Sequence, residues 1–275
     1  MNQIDLRSYL LRWSILMKNN FSVAVSLWTL TVKEVRRFLR IWVQTLVPPA
    51  VTMSLYFVIF GSLIGPRIGS MDGFDYIQYM IPGLIMLSVI TNSYNNVVSS
   101  FYSVKFQKSI EELLISPMPN WTILLGFVLG GVCRGVLIGI IVFGVSLLFY
   151  PDFTVANPLL TVTVLFLTSV LFSLMGFINA VFADSFDDIS IIPTFILTPL
   201  IYLGGVFYSI NILPDVWRSI SMVNPMLYVV NTFREGMLGV SDVSISFSLG
   251  MIISFILVLS VWCLYLLKKG IGIRQ

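Results

Sequence analysis

The sequence predicts an all-α membrane protein. It has six transmembrane helices, a basic amphipathic helix before the first, a short cytoplasmic helix after the second, and a pair of short re-entrant helices on the outer side after the fifth. Three observations carry this prediction. The 275 residues are 57% hydrophobic and 11% charged, with a mean hydropathy of +0.94, whereas soluble domains carry about 25% charged residues. Apolar runs at about 41–64, 77–100, 121–149, 158–182, 189–208 and 246–267 match the ~20 residues that cross a bilayer as a helix. These runs are continuous rather than alternating, which disfavours a barrel, and no polar block is long enough to fold as a separate soluble domain. Residues 1–275 therefore form one membrane domain.

The first twenty residues mix Arg7, Arg12 and Lys18 with Leu10, Leu11, Trp13, Ile15 and Leu16. They lack the charged, apolar, small-residue order of a cleaved signal peptide and are expected to be retained. In residues 22–40, Val23, Leu27, Leu30 and Phe38 share one helical side, with Val35 at its edge and Glu34 intruding, while Lys33, Arg36, Arg37 and Arg40 occupy the other. Two readings stand. One is a helix lying in the membrane interface, its apolar side in acyl chain and its basic side on phosphate; the other is a basic flank that orients the first span. Either way, twelve lysines and arginines flank the spans on the side of the two termini and three (Arg67, Arg218, Arg234) on the opposite side. The positive-inside rule then places both termini, the 101–120 connection and the acidic ADSFDDIS connection in the cytoplasm.

The second span carries ITNSYNNVVSS, in which Asn92, Asn96 and Ser99 fall on one face together with Ser88 and Asn95. Amides in hydrocarbon need partners, so this face meets either another helix or an aqueous pathway. In the connection SIEELLISPMPNW, Ile110, Leu113 and Leu114 share one side of a short helix, Glu111 and Glu112 lie in its first turn, and Pro117 and Pro119 stop it. This is either a well-capped amphipathic connector or a knob that docks in a partner subunit. In the third span, Arg134 lies ~20 Å along the helix from Trp121 and must face protein, water or an anionic headgroup. Gly130, Gly131 and Gly135 beside it permit close helix approach. Asn179, in the fourth span, is a lone amide that reads as packing.

Residues 209–238 lie on the outer side yet are too apolar for a solvated loop, and Pro214 and Pro225 divide them into pieces shorter than a span. A re-entrant pair fits, because one distorted span at Asn224-Pro225 would put Lys268 and Lys269 outside. The pair, with Gly204 and Gly205 before it, is expected to close the outer end of a pathway.

Histidine is absent, which excludes His-based triads, His-ligated zinc and His proton shuttles. Cys133 and Cys263 lie inside spans without metal-ligand spacing, and no phosphate-binding G-x-x-x-x-G-K-[ST] loop occurs. No metal site, cofactor or nucleic-acid partner is expected in this chain, nor an enzyme active site. The thirteen acids fall in connections, in the N-terminal region or at span ends, which argues against a proton-coupled carrier. A channel or a sodium-coupled carrier stays open.

From about residue 22 onward the chain resembles the permease subunits of ABC-2 type exporters. The resemblance rests on RIWVQTLVPPAVTMSLYFVIFG, IPGLIMLSVITNSYNN, EELLISPMP and above all YLGGVFYSINILPDVWRSISMVNPMLYVVNTFREGMLG at 202–239. It implies a six-helix, type V exporter fold and a homodimer in the bacterial inner membrane. Separate ATPase subunits would bind the ATP and magnesium, and the export substrate would be an amphiphile: a drug, a lipid or a lipid-linked glycan. It also implies that residues 109–117 are the coupling helix and that 22–40 lie beside the ATPase.

Overall fold

A computed structural model describes residues 23–116 and 118–272. The expectations for residues 1–22, for Pro117 and for Arg274 lie outside these residues. Helix α1 covers residues 23–40, and α2 is the stretch Trp42–Ile68. The latter is broken at Leu46, ahead of Pro48 and Pro49, which sit in a first turn where a missing amide hydrogen costs least. It then widens to π geometry over Phe57–Ile64. A hairpin of β1 (Ser70–Met71) and β2 (Phe74–Asp75) turns through Asp72 and Gly73. Both turn residues have positive φ, 50° and 87°, as a type I′ turn requires.

Next come α3 (Tyr76–Phe106), α4 (Ile110–Ile115), α5 (Asn120–Phe149) and α6 (Pro158–Phe182). The chain closes with α7 (Asp188–Tyr202), α8 (Asp215–Val223), α9 (Pro225–Leu238) and α10 (Ile245–Lys269). The central post is α3, with α5, α6 and α9 packed against it. Helices α2, α5, α6 and α10 are long and apolar enough to cross a membrane. The 31 residues of α3 are long enough but more polar, and their burial from Tyr76 to Lys105 leaves them little surface that must be apolar.

Close approach at the centre depends on α5 glycines. A Cβ on Gly135 would collide with the Ser93 hydroxyl of α3, and one on Gly131 with Ser173 of α6 and Val97 of α3. The rings of Phe101, Phe127 and Phe177 fill the same three-helix junction.

The connections gather at two ends. At one, the Lys105 ammonium donates to the carbonyls of Val181 and Ala183, the Tyr102 hydroxyl donates to the Asp184 carbonyl, and Gly272 rests against Val181. At the other, the amides of Ala156 and Asn157 donate to the carbonyls of Met237 and Gly236, and the Tyr76 hydroxyl to that of Phe207.

Two sequence expectations need correction. The fifth apolar run was expected to be helical over 189–208, but its helix stops at Tyr202, because Gly204-Gly205 follows and Gly205 takes φ +77°. Of the two readings of α1, the interfacial one puts its apolar side in acyl chain. Instead Leu30, Glu34 and Phe38 are buried against protein, Leu30 seated on Gly126 and Glu34 on Gly130, while Val25, Trp28 and Leu39 are exposed.

Candidate functional site

Three groups of residues carry the candidate chemistry. The first is α4, a six-residue helix strung between the two longest helices. Ile110 is buried, Leu113 and Leu114 pack against the core, and Glu111 and Glu112 are exposed in the first turn. Ile115, which the sequence analysis did not single out, is 85% exposed at the tip. Pro119 leads directly into α5.

The second group joins α1, α3 and α5. Arg37 donates from Nη2 to both the carbonyl and the Oδ1 of Asn96, each at 2.9 Å, and its Nε lies 3.2 Å from Glu34 Oε2. That same carboxylate oxygen accepts from the Ser100 hydroxyl. One turn pair outward, Arg134 donates to Asn92 Oδ1 at 3.0 Å and reaches the Thr45 carbonyl at 3.5 Å. The structure therefore brings Asn92, Asn96, Arg37 and Arg134 together, and within one chain α1 and α5 cover the polar face of α3. Ser99 joins the edge of this network by donating to the same Asn96 carbonyl that Arg37 uses, whereas Asn179 stands apart and donates to the Ile189 carbonyl. Lys33, Arg36 and Arg40 stand on the opposite side of α1 with Trp28, Val32 and Ile41, around an open concavity of about 820 Å³. Glu34 and Ser100 were missed as a pair, although a carboxylate on an apolar helical side is the signal that could have found them.

The third group is at the other end of the bundle. Gly204 packs on Met226, where a Cβ would lie 2.9 Å from the methionine Cβ. Asn224 caps α9, accepting from the Met226 amide, and donates to the Leu200 carbonyl at 2.6 Å. Pro225 fills the first position of α9 and Pro214 precedes α8. Phe207, just past the glycines, meets the rings of Tyr56, Phe60 and Tyr202 at 5.1 to 6.0 Å. Arg234 was counted in the sequence as an outward charge. It is buried, with its guanidinium 4.1 Å over the Tyr79 ring and donating to the Gly205 carbonyl. Its neighbours Asn231 and Asp242 help line a polar cavity of about 250 Å³.

No group of three or more Cys, Asp or Glu converges as a metal site would require, among the described residues. The described residues thus form a helical membrane protein with a buried interhelical polar network and a polar cavity at one end. Residues 25–238 match the family described as ABC-2 type transporter. The chain is 53% identical over 251 residues to the inner membrane transport permease YadH of Escherichia coli strain K12, over 91% of this chain and 98% of that protein. It is 24% identical over 198 residues to nodulation protein J of Rhizobium meliloti strain 1021, over 71% of this chain and 75% of that protein. The chain belongs to the ABC-2 type transporter family and is a transport permease of a membrane, not an enzyme.

Proposed function

We propose that the chain is the membrane subunit of an ATP-driven exporter, working in the inner membrane as a homodimer with separate ATPase subunits that dock on α4. The observation that carries this reading is α4 itself: one turn anchored by buried Ile110, presenting Glu111, Glu112 and Ile115 to a partner between α3 and α5. A rigid knob so placed transmits a push directly into the two helices that hold Asn92, Asn96 and Arg134. ATP and magnesium belong to the partner, in keeping with the ATPase that ABC-2 permeases use in general.

The reading takes α2, α3, α5, α6, α7 and α10 as six spans with both termini cytoplasmic. It is supported by the gathering of alternate connections at opposite ends and by the lysine and arginine bias. The inner-membrane location is supported by the printed name of the YadH relative. In this picture Asn92, Asn96, Ser99 and Arg134 face the pathway when α1 and α5 move. Gly204, Gly205, Pro214, Asn224 and Pro225 shape the re-entrant outer closure, and an amphiphilic substrate passes outward. Membrane lipid meets the exposed side of α1, whose Lys33, Arg36 and Arg40 meet headgroups.

The test is capture of the intact protein from native membranes, scoring co-purified ATPase activity, against a Glu111→Ala, Glu112→Ala, Ile115→Ala variant. The expected result is ATPase with the intact chain and at least about a tenfold loss in the variant while it stays folded and dimeric. No ATPase with either, from membranes shown to retain peripheral complexes, would replace this reading with an autonomous channel or sodium-coupled carrier.

A further inference from the structure

We propose that the cavity beneath the Asp72 hairpin binds a zwitterionic head group of the phosphoethanolamine class, its phosphate toward Arg234 and its ammonium toward Asp72 and Asp242. The proposal rests on the outward placement of this end, and nothing in the α4 docking depends on it.

The cavity is about 250 Å³ and is lined by Asp72, Tyr79, Asn211, Asn231, Arg234 and Asp242 among others. Arg234 is 1% exposed. A buried guanidinium is costly unless it is paired and its donors are satisfied. Arg234 donates from Nη2 to the Gly205 carbonyl and, at 3.4 Å, from Nη1 to Asn231 Oδ1. Of its donors, the ε N–H has no acceptor among the described residues, while each η nitrogen makes one hydrogen bond there. Among the described residues no carboxylate oxygen comes within 4.0 Å of it.

The carboxylates of the cavity have no cation within ion-pair distance among the described residues. Asp242 accepts from the Ser209 hydroxyl, the Ile210 amide and the Asn211 amide group, all neutral donors. Asp72 is held at the exposed tip of the hairpin, where its left-handed φ is stabilised by the Asp-Gly turn. One buried cation and two carboxylates thus share a cavity without pairing among the described residues. With two carboxylates and one arginine the cavity is net acidic, which disfavours a simple anion, and a simple cation would leave the Arg234 ε N–H without an acceptor. A neutral, non-accepting ligand would give no partner to the Arg234 ε N–H or to either carboxylate. A zwitterion satisfies both signs through charge-assisted hydrogen bonds.

A lipid source is favoured by the neighbouring helix. The turn Ile210–Ile212, which carries Asn211, packs on α8, and α8 exposes Val216, Trp217, Ile220 and Val223. An amphipathic helix with an exposed tryptophan lies at headgroup depth, which sets the mouth of the cavity among lipid headgroups.

The test uses the full-length protein in detergent and measures bound lipid by native mass spectrometry. The probes are dioleoyl phosphatidylethanolamine, dioleoyl phosphatidylglycerol, a dioleoyl trimethylammonium lipid, and soluble phosphoethanolamine as competitor. The expected result is saturable binding of the ethanolamine lipid about tenfold tighter than either single-charge lipid. Asp72→Asn, on an exposed turn, should reduce that preference severalfold without weakening the phosphatidylglycerol interaction. Arg234→Lys should weaken both phosphate lipids; if that variant does not fold, Asp242→Asn supplies the second arm and should act as Asp72→Asn does. Displacement by soluble phosphoethanolamine at matching affinity supports the same site with a free small molecule as occupant, and persistence of the lipid supports a lipid occupant. Equal binding of the ethanolamine and glycerol lipids, or a preference untouched by Asp72→Asn, overturns the proposal. ATPase capture through α4 is read independently, so failure of one is distinguishable from failure of the other.

Discussion

Gly83→Ala should destabilise the protein, and the structure says by how much and through what. Gly83 lies on α3 where that helix passes the segment after α7. A Cβ there would stand 2.2 Å from the Val206 carbonyl oxygen and 2.9 Å from both its carbonyl carbon and its Cα. Ordinary carbon–oxygen contacts of this kind close at ~3.3 Å, so helix and segment must separate by about 1 Å. The obstructing atoms are backbone, with no flexible side chain to swing away, and close-packed interiors transmit such strain rather than absorb it. Overpacking of this order costs ~1–3 kcal/mol. The gain in helix propensity from Gly to Ala recovers at most ~1 kcal/mol. Because Gly205 adjoins Val206 and its carbonyl holds Arg234, the displacement also loosens the seat of that arginine. Thermal unfolding in detergent, followed by tryptophan fluorescence, would read the loss. Gly144→Ala is the matched control, since nothing lies within 4 Å of its Cβ position. A Gly83→Ala protein that melts at or above the Gly144→Ala protein would refute the reasoning.

Glu34→Ala should release α1 from α3, since it leaves the Ser100 hydroxyl and Arg37 Nε without their acceptor at a cost of ~1–3 kcal/mol, reduced on the arginine side because that side chain is partly exposed. Trypsin cleavage at Lys33, Arg36 and Arg40 should accelerate, with Ser100→Ala giving a smaller increase; an unchanged rate would rule out this anchorage. Asp188 accepts from the Asp184 and Ser185 amides, and these bonds hold its carboxyl below the ordinary value of 3.8. A depressed folded-state pKa means stability that is present above 3.8 and lost as pH falls through the folded value. The melting difference between wild type and Asp188→Ala should therefore be constant from pH 7 to about pH 5 and shrink in more acid solution; a gap that persists well below that range would contradict it.

The parts of the fold legible in the sequence are those that a single run of residues decides. Spans α5, α6 and α10 show as continuous apolar runs because lipid imposes that composition on each helix separately. The short helix α4 shows because its acids, its apolar side and its prolines are all local. In 209–238, Pro214 and Asn224-Pro225 place the breaks, and α8 and α9 lie between and after them. The stop of α7 at Tyr202 was less visible, since a Gly-Gly pair inside an apolar run reads equally as close packing or as an end. What decided it was the positive φ of Gly205, and the contact that holds it comes from Arg234, 29 residues on.

Charged residues in apolar surroundings were hardest to assign, for a physical reason. An apolar helical side is the same pattern whether lipid or protein covers it, so Leu30 and Phe38 carry no information about which. Glu34 does carry it, because a carboxylate on that side cannot be left in acyl chain and must find donors. Those donors are Arg37, on its own helix, and Ser100, 66 residues away, so the sequence reveals the demand without revealing what meets it. Arg234 poses the same demand more acutely. Sequence counting treats it as one outward charge, but it is buried, and no carboxylate among the described residues comes close enough to pair with it. Glu34 meets part of its demand within the chain, through Oε2, and fixes α1 to the bundle. Arg234 meets part of its own through the Gly205 carbonyl and Asn231 Oδ1, and its ε N–H has no acceptor among the described residues, which is why the cavity beside it carries the ligand proposal.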